Sequence, residues 1–166
     1  MKKISLMAFC LFLAVAAVGC KSEKRPDGMP ELYPRSLKII QDSKPLDGAQ
    51  VSIISSDPKI ARFPCGGNSD ANGLVELKTM GFDGAPLGAF KVVVSKIEAI
   101  NRPSSYEEAQ KFQNEGIKEE AYDLVERKFT DSATTPLTVE FKEADSTTIE
   151  LDVGEAVRIS REDLMR

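Results

Sequence analysis

The chain of 166 residues contains no histidine, no tryptophan and only three cysteines. The absence of histidine removes the commonest general base, the Ser–His and Cys–His nucleophile pairs, and most zinc sites. The glycines are scattered through turns and form no phosphate loop or dinucleotide fingerprint. We therefore predict that the protein is not an enzyme and that it has no catalytic residue, no cofactor and no specific metal site.

A few residues are still candidates for a reactive thiol or for cation binding. Cys65 lies between Pro64 and two glycines that could expose it, but a lone thiol without a base favours burial as a small apolar side chain. Asp70 and Asn72 resemble the start of a calcium loop, yet the later acidic ligands are missing, so a turn is favoured. Loop residues Asp83 and Asp131 could join an opportunistic cation site that nothing in the sequence specifies.

Only one long apolar run occurs, and it lies at the N-terminus. It follows Lys2 and Lys3, covers about 15 residues, and is too short to span a bilayer, which takes roughly 20. It ends in Ala17-Val18-Gly19-Cys20, which resembles the lipobox of bacterial lipoproteins. The resemblance implies a signal peptide over residues 1–19 and lipid attachment at Cys20; the alternative is an ordinary secretory signal that happens to contain a cysteine.

Removal of the signal peptide before Cys20 would change the net charge of the protein and determine its location in the cell. Loss of two lysines leaves 20 basic against 26 acidic residues, a formal charge of −6, which argues against nucleic-acid partners and broad contact with anionic lipid. Cys65 is then the only other cysteine, so no intramolecular disulfide can form. We predict a lipid-anchored protein of the bacterial cell envelope, and Lys21 in place of an acid favours the outer membrane, facing the periplasm or the exterior.

The mature chain is long enough for one domain. Residues 20–34 are rich in proline and charge and predict a disordered tether that carries the lipid. Residues 35–153 alternate between apolar and polar positions and predict the domain itself. Residues 154–166 have little β-character and predict a frayed or short helical tail.

Seven short strands separated by turn signals are typical of an all-β antiparallel sandwich. The last two are expected to pair as an antiparallel hairpin. The predicted strands begin near Leu37 and Ile39 and continue with Val51–Ile54, Ile60–Pro64, Leu74–Lys78, Ala89–Lys96, Leu137–Phe141 and Thr147–Val153.

A helical insert over about residues 104–128 interrupts this pattern. Ser105 and Glu108 fit a capping box that would begin a helix. Gly116 interrupts it, and a second helical stripe follows through Ile117, Ala121, Leu124 and Val125. Two interpretations stay open: a flap that covers a sheet, or a surface that binds a partner.

Several turn motifs occur in the order found in carboxypeptidase regulatory-like domains. The matching segments are Lys44–Val51, which resembles "G-x-P-L-x-G-A-x-V"; Ser69–Val75, which resembles "T-D-x-x-G-x-F"; Gly84–Val92, which resembles "P-G-x-Y-x-V"; and Lys128–Val139, which resembles the last strands of small bacterial lipoproteins of this kind. Ser43, Ser69 and Val75 depart from the family pattern. The resemblance implies a seven-stranded transthyretin-like, or prealbumin-like, sandwich with a short helical insertion.

The resemblance implies a scaffold rather than an active site. The zinc site of the carboxypeptidases lies in a separate catalytic domain, and the related hydroxyisourate hydrolases use histidines, which this chain lacks. The leading hypothesis is a non-enzymatic, membrane-anchored binding or assembly module with an unidentified envelope partner. The alternatives are a carbohydrate-binding accessory lipoprotein, for which Tyr33, Tyr106 and Tyr122 are the available phenols, and a protein partner held by the segment from Ser105 to Lys128.

Overall fold

The structure is a computed structural model that describes residues 24–143 and 148–163. This part of the chain is mostly β-sheet. Its strands are β1 (Ser36–Gln41), β2 (Lys44–Pro45), β3 (Gln50–Ser55), β4 (Cys65–Asn68), β5 (Leu74–Glu76), β6 (Lys78–Thr79), β7 (Phe82–Asp83), β8 (Gly88–Ser95), β9 (Ile97–Ile100), β10 (Glu120–Asp123), β11 (Thr138–Phe141), β12 (Thr148–Asp152) and β13 (Ile159–Ser160). The helices are α1 (Pro58–Ala61), α2 (Tyr106–Glu115) and a 3₁₀ turn at Arg127–Phe129.

Three sheets organise these strands. The first sheet has the order β12-β1-β2, with β5 also paired to β1. The second sheet has the order β11-β8-β3-β4-β6-β7, and a small third sheet has the order β13-β10-β9. The first two sheets share one hydrophobic core, an arrangement consistent with an all-β sandwich.

The core follows directly from the period of two in the strands. Alternate residues of β1, β3 and β8 are buried while their neighbours face outward, as expected for strands with one covered face. The buried set draws on both sheets and includes Leu37, Ile39, Val51, Ile53, Val75, Phe90, Val92, Val94, Val139, Phe141 and Leu151. The predicted first, second and fifth strands are therefore confirmed.

The predicted hairpin of the last two strands is wrong. β11 pairs with β8 in the second sheet, whereas β12 pairs with β1 in the first sheet, and the β1–β12 pairing is parallel. Each of these strands buries its apolar face against the common core from the opposite side. Alternation showed which residues point inward, but it carries no information about the neighbouring strand.

The predicted strand at Ile60–Pro64 is also wrong, because a helical turn forms there instead. Asp57 caps α1 by accepting a hydrogen bond from the Lys59 amide at 2.9 Å, and Pro58 occupies the first turn. Proline tolerates this position because its missing N–H is not needed there. The strand that does follow, β4, begins at Cys65 and contains two glycines, so its sequence gave little β-signal.

The helical insert contains one helix and one strand rather than two helical stripes. Ser105 caps α2 as predicted, accepting from the Glu108 amide at 3.2 Å, and Gly116 ends it in the left-handed conformation. Ala121, predicted as helical, lies in β10 and pairs with Ala99 of β9. The backbone N–H and C=O groups of β10 form hydrogen bonds with β9. In a second helix, the same groups would have bonded to one another within the segment.

Both ends of the domain differ from the prediction. Residues 24–34 were predicted as part of a disordered tether, yet Tyr33 forms a backbone bridge with Ala85. At the other end, residues 154–166 were predicted as a tail, but Ile159 and Ser160 pair with β10. In each case the chain continues along an available strand edge, where its amides find partners. Residues 1–23, with Cys20 and the predicted signal peptide, lie outside the described part of the chain.

Among the described residues, no helix is both long and apolar enough to cross a bilayer.

Candidate functional site

The segment formed by β9, α2 and β10, residues 97–123, projects from the sandwich; we call it the arm. β9 continues the line of β8, and the Leu124 amide still donates to the Lys96 carbonyl at 2.9 Å where the arm begins. No residue of α2, all of which the structure describes, is buried. The arm is therefore held by its hairpin rather than by packing against the core.

An open groove runs between α2 and the two loops that flank it, with a volume of about 440 Å³. Its apolar surface comes from Pro103, Ala109, Phe112 and Ile117, and its polar surface from Asn101, Gln113, Lys118 and Glu119. Ile117 is 36% exposed although it is a large apolar side chain. The groove thus combines an uncovered apolar floor with a polar rim, the composition found where protein surfaces meet partners.

Local hydrogen bonds fix the shape of this groove. The Ile117 amide donates to the Phe112 carbonyl at 2.9 Å and turns the chain directly after α2. The Asn101 side-chain amide donates to the Lys118 carbonyl at 3.3 Å and ties the two loops together. Asn101 has a φ of 58°, a conformation that asparagine tolerates better than most residues. The groove is preformed by the loops and does not depend on a buried core.

A polar cluster on the third sheet fastens the chain end to the arm. The Arg158 guanidinium lies 3.7 Å from the centre of the Tyr122 ring, and its Nε donates to Glu98 at 2.9 Å. That hydrogen bond raises the pKa of Arg158, and the hydrogen bond from the Tyr122 hydroxyl to Glu120 raises the pKa of the phenol. These groups satisfy one another, so the cluster clamps β13 onto β10 and leaves one face of the Tyr122 ring covered.

Cys65 is buried, as predicted, on the core side of β4. Burial raises the pKa of its thiol, which keeps the reactive thiolate scarce at neutral pH. A small cavity of about 180 Å³ beside it is lined mainly by apolar side chains, among them Ile60, Phe63 and Phe90. With no histidine in the chain to remove the proton, this position has the character of a core residue.

The acidic residues considered for cation binding are used in turns. Asp70 accepts hydrogen bonds from the amides of Leu74 at 2.8 Å and Asn72 at 2.9 Å, which lower the pKa of its carboxyl. Asp83 pairs with Lys78 at 3.1 Å, and Asp131 accepts from the Ala133 amide at 2.7 Å. Within residues 24–143 and 148–163, no group of three or more Cys, Asp or Glu side chains is placed to hold a metal ion.

Sequence reasoning overlooked Arg35, a cation that is only 7% exposed at one end of the core. Its guanidinium donates to the carbonyls of Lys142 at 2.6 Å and Pro34 at 3.1 Å, and lies 5.9 Å from the ring centres of both Tyr33 and Phe141. Its Nε has no hydrogen-bond partner among the described residues. The period of two was a signal for this burial, because Arg35 directly precedes β1 and lies two and four residues before the buried Leu37 and Ile39.

The three tyrosines that could have formed a sugar-binding platform lie in three different elements. Tyr33 precedes β1, Tyr106 begins α2 and Tyr122 belongs to β10. Tyr106 is 78% exposed, whereas Tyr122 is partly covered by Arg158.

Cys20, the predicted lipid attachment site, is outside the described residues. Comparisons with protein-family models, with curated proteins and with solved structures gave no significant match for this chain.

Proposed function

We propose that the protein is a non-enzymatic lipoprotein of the bacterial cell envelope that presents its arm to a protein partner. One observation carries the binding role: α2 has no buried residue, yet Phe112 and Ile117 line an open groove beside it. Keeping apolar side chains at such a surface costs solubility unless a partner covers them. We therefore propose a partner surface, rather than a covering flap, as the role of the helical insert.

The lipid anchor at Cys20 is part of this proposal and rests on the sequence. A positively charged start, a short apolar run and small residues directly before Cys20 agree with the lipobox pattern. One acyl chain binds a bilayer reversibly, so stable anchoring requires more than one. A cysteine with three acyl chains would keep the protein in the membrane, with the outer membrane favoured by Lys21.

We also propose that the sandwich is a transthyretin-like, carboxypeptidase regulatory-like domain. In support, two of the motifs that resemble the family meet in space through Ser69, which supplies a hydroxyl where the family pattern has threonine. Its hydroxyl donates to the Leu46 carbonyl at 2.6 Å and accepts from the Ala49 amide at 2.7 Å. Gly73 approaches β1 so closely that a Cβ there would lie 2.4 Å from the Ile39 carbonyl oxygen. These motifs build the scaffold on which the arm is mounted.

Site-specific photo-crosslinking in the native envelope tests the partner role. A photoreactive amino acid would replace Phe112 in the groove or, as the matched control, Ile54 on β3, which is 41% exposed. We expect one discrete protein adduct from position 112 and none from position 54. Purified partner should then bind the native domain and lose affinity for Phe112→Ala. Adducts of equal yield at both positions, or none at position 112, would contradict the proposed binding surface.

Carbohydrate binding is the alternative function, and the exposed ring of Tyr106 is the feature that favours it. Aromatic rings stack on sugar faces, but here a single exposed phenol would have to do so without a neighbouring ring. A glycan array with the native domain and Tyr106→Ala separates the two functions. Binding to a glycan that disappears in the variant would replace the protein partner as the proposed ligand.

A further inference from the structure

The hairpin between β6 and β7 exposes an apolar side chain at a rigid tip. Met80 is 50% exposed and has a φ of 52°, which is unusual for a residue other than glycine. Its amide donates to the Pro64 carbonyl at 2.9 Å, and the buried hydroxyl of Thr79 donates to the Gly84 carbonyl at 2.8 Å. The turn therefore holds the apolar side chain of Met80 outward, where half of it is exposed to solvent.

The N-terminal segment lies along the same end of the molecule. The Arg25 guanidinium is 6.0 Å from the centre of the Phe82 ring, two residues beyond Met80. Further along, Arg62 donates to the Gly28 carbonyl at 3.1 Å, and Tyr33 pairs with Ala85. We call the surface formed by Arg25, Met80 and Phe82 the tip surface.

Covalent geometry limits how far the tip surface can lie from Cys20. Arg25 is five residues beyond Cys20. An extended chain covers at most about 3.6 Å per residue, so the two Cα atoms are within about 18 Å of each other. A domain of this length has a radius of gyration of about 14 Å, so this tether is shorter than the domain is wide. If lipid holds Cys20 in the membrane, the short segment between Cys20 and Arg25 keeps the tip surface close to that membrane.

We propose that the tip surface contacts the bilayer, with Met80 entering the interface between headgroups and acyl chains. This inference rests on the proposed lipid anchor at Cys20. Methionine is flexible and apolar, which suits an irregular lipid interface. Arg25 places a cation beside Phe82 at this tip, with Lys24 next to it in the chain, and anionic headgroups attract both charges. Asp83, the acid in the same hairpin, is paired with Lys78 at 3.1 Å.

The contact is local rather than a broad face. The chain processed at Cys20 is acidic overall, with 26 acidic against 20 basic residues, so a large surface pressed on anionic lipid would be repelled. A single apolar side chain gives too little binding free energy to hold the domain on a membrane by itself. The covalent lipid supplies the attachment, and the tip surface sets the orientation of the domain.

The absence of tryptophan from the chain provides the test. Met80→Trp introduces a single tryptophan at the tip, and Tyr106→Trp introduces one at α2 as the matched control, since Tyr106 is 78% exposed. Each lipoprotein is reconstituted into vesicles of phosphatidylethanolamine with a minor fraction of phosphatidylglycerol, with and without brominated acyl chains. We expect several-fold stronger quenching by the brominated lipid at position 80 than at position 106.

The outcomes separate this inference from the lipid anchor. Equal quenching at both positions, in protein whose intact mass shows lipid and which floats with the vesicles, would overturn the contact and leave the anchor standing. An intact mass without lipid at Cys20 would overturn both. With Cys20→Ala added, quenching at position 80 should disappear; if it persisted, the tip would bind lipid by itself, contrary to the proposed division between attachment and orientation.

Discussion

The sandwich and the arm are built from the same chain but are stabilised by different means. In the sandwich, Leu37, Ile39, Val92 and Val94 are completely buried in one apolar cluster. In the arm, β9 and α2 contribute no buried residue, and order comes from hairpin pairing, helix caps and surface ion pairs. Burial of a large aliphatic side chain contributes about 1.5–3 kcal/mol, whereas an exposed ion pair contributes about 0–1 kcal/mol.

The difference shows how one cooperative domain can carry a segment of much lower local stability. Regions with few buried apolar contacts open locally without global unfolding. In the arm, local hydrogen bonds could therefore open and re-form while the sandwich stays folded. The comparison predicts that equivalent substitutions will have large effects in the sandwich and small effects in the arm.

The largest contrast should come from truncating one phenylalanine in each region. Phe141 is 2% exposed and packs against Phe90 with ring centres 5.6 Å apart. Phe141→Ala should lower the free energy of unfolding by about 3–5 kcal/mol because it leaves a cavity in the core. Phe112→Ala in the arm should cost less than about 1 kcal/mol, the range of ordinary surface substitutions. Urea unfolding of both variants measures this, and similar losses would show that the arm shares the core's stability.

A second contrast uses two glycines with nearly the same backbone conformation. Gly73 in the sandwich has a φ of 74°, and Gly116 at the end of α2 has a φ of 69°. A Cβ at Gly73 would lie 2.4 Å from the Ile39 carbonyl oxygen, whereas a Cβ at Gly116 meets no described heavy atom within 4 Å. Both alanine variants should lose about 1–2 kcal/mol from the left-handed backbone.

Only Gly73→Ala must also displace β1, so its loss should exceed that of Gly116→Ala. Thermal unfolding followed by circular dichroism measures the loss at Gly73, and hydrogen exchange in α2 measures the loss at Gly116. Equal losses of stability would mean that β1 shifts away from the new Cβ at position 73 without a measurable cost.

The third prediction concerns the cap of α2 alone. Removing the Ser105 hydroxyl leaves the Glu108 amide without its partner and should weaken the helix by about 1 kcal/mol. Because the arm is independent of the core, Ser105→Ala should speed hydrogen exchange in α2 and leave exchange in β3 and β8 unchanged. Ser105→Asp, which can still accept the hydrogen bond, is the control that should restore protection. Faster exchange throughout the chain would show that α2 is coupled to the sandwich.

The smallest effect is expected where the chain end clamps the arm. Arg158→Met removes the ion pair with Glu98, and exposed pairs of this kind contribute about 0–1 kcal/mol. Global stability should therefore hardly change, but the amides of β10 that pair with β13 should exchange faster. Arg127→Met, at a residue for which no ion pair is described, serves as the control. Unchanged exchange in β10 would show that backbone pairing alone holds β13 in place.

The sequence predicted the parts of the fold that depend on local pattern. Alternation identified the inward residues of β1, β3 and β8, and the residue types at Ser105 and Gly116 located both ends of α2. Pairing across long separations was not predictable, because Ile149 and Val139 have the same alternating pattern but lie in different sheets.

The candidate site was predicted in part. The sequence placed Ile117 in a helical stripe that follows Gly116, but nothing in the pattern showed that this side chain would be left exposed beside α2. Exposure depends on where β9 and β10 carry α2, which is a property of the assembled sheets. Arg35 was missed for the opposite reason: its charge indicates solvent, and only the neighbouring rings and carbonyls explain its burial.

The parallel pairing of β1 with β12 determines when this protein can fold during synthesis. Ser36 and Thr148 are hydrogen-bonded across a separation of 112 residues. Contacts between such distant residues form slowly, because a long loop must close before they contribute. One edge of β1 stays unpaired until nearly the whole chain has been made. The first sheet is therefore completed only after β12 has been synthesised, so the domain closes at the end of synthesis rather than segment by segment.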